Sequence, residues 1–209
     1  RFDLETDLCQ PAYDFGASVH TNSWGTGPDK SQGCPASEGT CPNYYSIETI
    51  KIDESAYSMD DMVILYARGN DGRDMNSNGE VDLEYMNRQA TAKNIISVGA
   101  SENFRPGLGG PYGNFPVTPI KTDNANDNPE GMAAFSNRGP TADGRLKPDI
   151  VAPGTFIVST LSGDGAAAPP GSSPRCADLN WAGANDYCIQ QGTSMATPIT
   201  AGSAALILE

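Results

Sequence analysis

Basic side chains are scarce in this sequence, and their scarcity limits the partners that it can have. The 209 residues include 13 Lys and Arg against 26 Asp and Glu, a formal net charge of −13 at pH 7. Because nucleic-acid binding depends on clustered Lys and Arg that neutralise phosphates, no nucleic acid is expected as a partner. The surplus of carboxylates, interspersed with Asn, favours bound calcium instead.

Long apolar runs are absent as well. A membrane-spanning helix needs about 20 consecutive apolar residues, and no stretch approaches that length. No membrane partner is therefore expected. The length and composition suit one sizeable α/β domain, and no internal repeat is visible.

Cysteines are few, and their spacing excludes one common role. Five occur without any Cys-x-x-Cys pair, and there is one histidine, so zinc ligation is not expected. Cys34 and Cys41 bracket one short loop, and Cys176 and Cys188 bracket another. This spacing favours two local disulfides and a secreted protein. Cys9 is then either a buried thiol or the partner of a cysteine outside this chain.

Hydrophobic spacing predicts alternating helices and strands. Helices are expected over residues 4–15 and 46–59, and a small-residue apolar helix over 199–208. Apolar runs of strand length predict strands over 17–22, 62–67, 94–100 and 155–160, separated by Gly- and Pro-rich loops at 26–45, 101–130 and 162–187. Such alternation predicts a mainly parallel sheet with helices on its faces and a site at the carboxyl ends of the strands.

The helix over 46–59 has an amphipathic pattern. Ile47, Ile50 and Tyr57 are expected on its buried side. The charged residues are expected largely in solvent: Glu48, Lys51, Asp53 and Glu54.

The most informative stretch lies just before the last predicted helix, where residues 191–198 read QGTSMATP. Ser194 would stand at the helix N-terminus. Free backbone N–H groups and the helix dipole stabilise negative charge there, including the oxyanion that forms when a carbonyl is attacked. The structural alternative is that Thr193 or Ser194 only caps the helix.

Residues 192–198, GTSMATP, resemble the nucleophile motif of the subtilisin-like serine proteases. The chain resembles the same family in four further segments: NSWG at 22–25, RGNDG at 68–72, FSNRGP at 135–140 and KPDIVAPG at 147–154. The segments HTNSWG and RGPTADGRLKPD most resemble the oxidatively stable alkaline proteases of the KP-43 type. The resemblance implies a subtilisin-like three-layer α/β domain with a mainly parallel sheet, here without its N-terminal strands and helices.

The resemblance also implies roles for individual residues. Ser194 corresponds to the nucleophile, and Asn70 to the side-chain amide that donates to the oxyanion, although Asn-Asp-Gly is ordinarily only a turn. A polypeptide substrate would pair with the backbone at Ser23, Trp24 and Gly25, where glycine allows close approach and Trp24 walls a pocket. Further contacts with substrate are expected from Ala67, Gly69 and Thr193. Arg68 stands where the family has a small residue.

The chain lacks an evident base for the serine. His20 falls inside a predicted strand, so a structural role is expected for it, and a pairing of His20 with Ser194 is disfavoured. Asp149 lies in a segment that is scaffold in the family. The catalytic Asp and His are expected upstream of residue 1, in the preceding part of the same domain or in a separate chain.

The residues and the resemblance are compatible with two functions. The first is a serine endopeptidase that acts through an acyl-enzyme on Ser194, with this chain inactive by itself. The second is a calcium-stabilised binding or structural module on the same scaffold, in which Ser194 never reacts.

Residues 74–84 contain oxygen side chains at alternate positions and then a glycine, as in the first half of an EF-hand loop. Gly79 occupies the sixth position, but the twelfth is Tyr85 rather than a bidentate Glu, so Asp82 or Glu84 would have to complete the shell. The alternative is an acidic surface loop. The expected calcium ligands are Asp74, Asn76, Asn78, the backbone carbonyl of Glu80, and Asp82.

Overall fold

The computed structural model describes residues 5–27, 45–160 and 187–209. Cys34, Cys41 and Cys176 lie outside these ranges, so both predicted disulfides stay predictions. Cys188 is described and is buried. No helix in the described ranges is long and apolar enough to traverse a bilayer.

Four strands form one parallel sheet in the order β1-β2-β3-β4. They are β1 (Val19–Asn22), β2 (Val63–Ala67), β3 (Ile96–Ser101) and β4 (Ile150–Pro153). Val19 pairs with Val63, Leu65 with Ile96, and Val98 with Ile150. Because all three pairings are parallel, the chain leaves every strand at the same edge of the sheet. The predicted parallel α/β architecture is confirmed.

Two further strands, β5 (Ile157–Thr160) and β6 (Tyr187–Gln190), form an antiparallel pair that leads the chain back to the sheet. The helices are α1 (Gln10–Asp14), which follows a π-helical turn at Glu5–Cys9, α2 (Ile47–Ser58) and α3 (Thr193–Leu208). Short 3-10 turns occupy Gln89–Thr91 and Ile120–Thr122.

The side chains of the sheet alternate between two cores. One core lies between the sheet and α3 and contains Leu65, Val98 and Ala100 from the strands with Ala196 and Ala201 from the helix. The other lies on the opposite face, and its members come from α2, β2 and the segment before α1: Cys9, Ile52, Met59, Ile64 and Tyr66. The helix that begins at the predicted nucleophile is thus packed against the centre of the sheet.

The prediction of which face of α2 is buried is wrong. Ile47 and Tyr57 are 75% and 83% exposed, and Ile50 is also exposed. Ile52 and Asp53 are buried instead. A buried carboxylate requires hydrogen-bond donors. Tyr45 and the segment that precedes β3 supply them.

Three donors surround the Asp53 carboxylate. It accepts the backbone N–H of Lys93 at 2.8 and 3.0 Å, the backbone N–H of Asn94 at 2.7 Å, and the Tyr45 hydroxyl at 2.5 Å. α2 is therefore turned so that its aspartate, rather than its exposed isoleucines, faces the turn that enters β3.

Replacing Asp53 should destabilise the fold. Asp53→Ala leaves two backbone N–H groups without their acceptor, and each unsatisfied buried donor costs about 1–3 kcal/mol. We expect a loss of roughly 2–5 kcal/mol in the free energy of unfolding, measured by urea denaturation. Glu54→Ala, which removes an exposed carboxylate from the same helix, is the control and should stay within about 0.5 kcal/mol of wild type. Equal losses in both variants would contradict this role for Asp53.

Candidate active site

The candidate nucleophile lies where two strands end and α3 begins. β1 delivers Ser23 and β2 delivers Asn70 to the same edge of the sheet, and α3 starts there at Thr193. Gly192 precedes the helix with φ of +147°, a conformation that favours glycine. Ser194 therefore occupies the first helical turn, where backbone N–H groups have no intrahelical acceptor.

A reciprocal pair of hydrogen bonds joins Ser194 to Ser23. The Ser194 Oγ donates to the Ser23 carbonyl at 3.0 Å, and the Ser23 Oγ donates to the Ser194 carbonyl at 2.9 Å. The second bond has a cause in the sequence. Residue 198 is proline and lacks the N–H that would otherwise bond the Ser194 carbonyl within the helix. Ser23 supplies the missing donor and ties the end of β1 to the start of α3.

Asn70 is held in one orientation by Thr193. Its Oδ1 accepts the Thr193 backbone N–H at 2.7 Å and the Thr193 hydroxyl group at 3.0 Å. Thr193 Oγ1 also accepts the backbone N–H of Gly69 at 3.1 Å. With its carbonyl end engaged, Asn70 keeps its Nδ2 amide as a donor, and Asn70 and Ser194 line the same cleft.

Two cavities flank Ser194 and Asn70. The first has a volume of about 370 Å³. Seven residues predicted to bind substrate or to take part in the reaction line it: Trp24, Gly25, Ala67, Gly69, Asn70, Thr193 and Ser194. The second, of about 330 Å³, lies on the other side and is lined by Ile189, Gln190, Gln191 and Met195 together with Asn70 and Ser194. The arrangement is an open cleft with a hydroxyl and an amide donor at its centre.

The first cavity contains residues that the sequence did not reveal as part of the site. Asp71 follows Asn70 directly, and this adjacency was the available signal for it. Asn87 comes from an irregular segment without periodicity, so no pattern marked it. A Cβ on Gly25 would lie 2.6 Å from the Asn87 Nδ2, which shows that the glycine is needed for this close approach.

The sequence and the fold have counterparts among known proteins. The model of the Subtilase family matches residues 2–209. The chain belongs to the subtilase family.

Curated relatives of this subtilase chain include two serine proteases. The serine protease/ABC transporter B family protein tagD of Dictyostelium discoideum is 29% identical over 97% of this chain and 13% of that protein. Serine protease AprX of Bacillus subtilis is 31% identical over 77% of this chain and 28% of its own length. The chain thus spans about an eighth of tagD and about a quarter of AprX.

Solved structures with the same fold include the prenylagaramide maturation protease PagA, with a TM-score of 0.53 and 21% identity over 98% of this chain and 49% of that one. Fervidolysin from Fervidobacterium pennivorans gives a TM-score of 0.51 and 23% identity over 96% of this chain and 21% of its own. The subtilisin-like fold class is confirmed. None of these matches tests the predicted likeness to the oxidatively stable branch.

His20 of the subtilase chain is part of the sheet. Its Nδ1 pairs with the Asn22 Nδ2 at 2.9 Å, and Asn22 also donates to the Leu65 carbonyl of β2. Burial lowers the pKa of His20, which favours the neutral ring. Within the described residues no hydrogen bond joins His20 to Ser194, in agreement with a structural role.

Asp149 also has structural partners. Its Oδ2 accepts the backbone N–H of Ser97 at 2.7 Å and forms an ion pair with the Lys147 Nζ at 2.6 Å. These contacts fasten the start of β4 to β3, away from Ser194.

Arg68, which stands where the family has a small residue, does not fill the cleft. Its side chain is fully buried, and its Nη1 donates to the Ala90 carbonyl at 3.3 Å. Burial lowers the pKa of Arg68 to about 9, against the opposing effect of the Asp149 charge. The first cavity therefore stays open.

The predicted calcium loop is folded back on its own backbone. The two carboxylate oxygens of Asp74 accept the N–H groups of Asn78 and Gly79 at 2.9 and 3.0 Å, and Asp82 Oδ2 accepts that of Met75 at 2.7 Å. Across the described ranges no group of three or more His, Cys, Asp or Glu side chains is arranged to hold a metal. A calcium ion bound by this loop would need Asn side-chain oxygens and backbone carbonyl oxygens as ligands, in addition to the carboxylates of Asp74 and Asp82.

Proposed function

We propose that the protein is a serine endopeptidase that hydrolyses polypeptides through an acyl-enzyme on Ser194. The observation that carries this proposal is that Thr193, in the first turn of α3, holds the carbonyl end of Asn70 and leaves its amide as a donor in the cleft that Ser194 also lines. A reactive oxygen and a set of donors for a developing negative charge converge at one point of an open cleft.

The chemistry follows from that geometry. Ser194 Oγ attacks the carbonyl carbon of the scissile bond, and the carbonyl oxygen becomes an oxyanion. Asn70 Nδ2 and the backbone N–H of Ser194 donate to it, since the N–H groups of Thr193 and Met195 are engaged by Asn70 and by the Gly192 carbonyl. One such preorganised donor contributes on the order of 3 kcal/mol to the transition state. The oxyanion collapses, the C–N bond breaks, and the amine leaves with the proton that the base took from Ser194. Water then gives a proton to the same base, hydrolyses the acyl-enzyme and restores the Ser194 hydroxyl.

We infer that the base comes from outside this chain. The Ser194 proton points to the Ser23 carbonyl, which is not a base that can remove it. A histidine and its orienting aspartate are needed to take that proton. The upstream part of the same catalytic domain, or a separate chain that carries it, would supply both, and this chain alone would be inactive.

The hydrogen bond from the Ser194 hydroxyl to the Ser23 carbonyl also supports the alternative function, a binding or structural module. If no base reaches Ser194, the cleft binds an extended peptide without cleaving it, and the protein is a binding or structural module. Secretion, the two local disulfides and membership of the KP-43-type branch remain predictions from the sequence.

A fluorophosphonate probe distinguishes the two functions, because it reacts only with an activated serine. In the full-length protein we expect one adduct on Ser194, located by peptide mass spectrometry. Ser194→Ala should abolish the adduct. The matched control Ser203→Ala, which removes an exposed serine of the same helix, should keep it. A folded full-length protein that binds peptide but forms no adduct would contradict the endopeptidase and support the binding module.

We also propose that the loop over residues 74–82 binds calcium. Asp74 is 5% exposed, and its burial favours a compensating cation in this acidic chain. Asn76 and Asn78 each turn a side-chain oxygen toward the loop backbone. Bound calcium would stiffen the segment that follows Asn70.

Calcium should raise the thermal stability of the full-length protein, since a ligand at 100 times its Kd stabilises the native state by about 2.7 kcal/mol. Asp82→Asn should reduce the difference in Tm between calcium and EDTA. Asp60→Asn, the same change at an exposed site outside the loop, should leave that difference intact. An equal calcium-dependent shift in wild type and Asp82→Asn would place the ion elsewhere.

A further inference from the structure

The cavity of about 370 Å³ beside Ser194 is lined largely by polar groups, although it lies at the edge of an apolar sheet. Trp24 and Ala67 are its apolar residues, and much of the remaining lining is glycine backbone. The other side chains that face it carry carboxamide, carboxylate or hydroxyl groups. A purely apolar ligand would desolvate these groups without replacing their hydrogen bonds to water.

Among the residues that the structure describes, Asp71 is the one charged side chain that lines this cavity. Its backbone is held on both sides, because Asp71 N donates to the Asn137 Oδ1 at 2.7 Å and Gly72 N donates to the Phe135 carbonyl at 2.8 Å. Its Oδ2 faces Gly27 across the cavity wall, 3.7 Å from where a Cβ on that glycine would lie. The backbone that carries the carboxylate is therefore fixed beside the cleft.

The Asp71 carboxylate has no ion-pair partner among the described residues. The nearest basic residue in the sequence, Arg73, lies over the ring of Tyr85 at 5.2 Å from its centroid. Arg68 is buried and bonded to Ala90. Within the described residues, no cation thus lies at ion-pair distance from Asp71, and the chain as a whole has a net charge of −13.

Asn87 provides a second hydrogen-bond acceptor in the cavity, after the Asp71 carboxylate. Its side chain is 7% exposed and lies between the two edges of the cleft, with Nδ2 toward Gly25 and Oδ1 toward Gly69. Its backbone N–H donates to the Arg68 carbonyl at 3.0 Å, which fixes it under the end of β2. A carboxamide oxygen at this depth can accept a hydrogen bond from an ammonium or guanidinium group.

We propose that this pocket selects a long basic side chain, lysine or arginine, in the residue that precedes the scissile bond. The aliphatic stem packs along Trp24 and Ala67, and the cationic end lies between the Asp71 carboxylate and the Asn87 carboxamide. An acidic side chain meets repulsion from Asp71, and an aromatic one leaves both polar groups unpaired. This assignment rests on the proposed endopeptidase function and names its substrate class.

The test compares peptides that differ only in that residue: lysine, its uncharged analogue norleucine, and glutamate. With the full-length protein we expect kcat/KM for lysine to exceed that for norleucine by about tenfold at low salt, with glutamate slowest. Asp71→Asn should bring the lysine-to-norleucine ratio close to one, and salt should lower it in wild type. The control Asp60→Asn removes an exposed carboxylate outside the cleft and should preserve the ratio.

A second measurement separates this proposal from the endopeptidase itself. Calorimetry with Ser194→Ala protein compares the affinities of the same peptides without turnover, and the lysine peptide should bind most tightly. Cleavage of norleucine and lysine peptides at equal rates, or an unchanged ratio in Asp71→Asn, overturns the assignment and leaves the peptidase in place. If no peptide is cleaved but lysine is still bound most tightly, the pocket assignment is supported and the peptidase is contradicted.

Discussion

The contact on which the site depends is the pair of hydrogen bonds from Thr193 to Asn70, at 2.7 and 3.0 Å. These bonds join the loop after β2 to the first residue of α3. They also orient the Asn70 side chain, because they occupy its carbonyl end and leave its amide as the donor. If the carboxamide were free to rotate, its oxygen could face the oxyanion and repel it.

The second constraint is the proline in α3. Because Pro198 cannot donate to the Ser194 carbonyl, that carbonyl is available to Ser23. A feature that weakens the helix thus creates a link between the helix and β1. The two links lie at the adjacent residues Thr193 and Ser194, so the candidate nucleophile, the proposed oxyanion donor and the wall of the cleft are joined at the start of α3.

Much of the candidate site could be predicted from the sequence, because the carboxyl ends of parallel strands lie at the same edge of a sheet. The sequence places Ser23 and Asn70 directly after strands, and it places Ser194 at a helix start, so their meeting follows from the topology. The orientation of α2 did not follow, since Asp53 is buried by backbone donors about 40 residues away. Asn87 was missed for a similar reason: its role depends on tertiary position, and its segment has no periodic pattern.

The most direct test of the central claim is the affinity of a peptide boronate, which forms a tetrahedral adduct on an activated serine. In the full-length protein, Asn70→Ala should weaken boronate binding by about 100-fold while KM for the matching substrate changes little. The amide would then act on the oxyanion rather than on the bound ground state. If boronate affinity is unchanged, or falls only in step with substrate affinity, Asn70 is a turn residue and not the oxyanion donor.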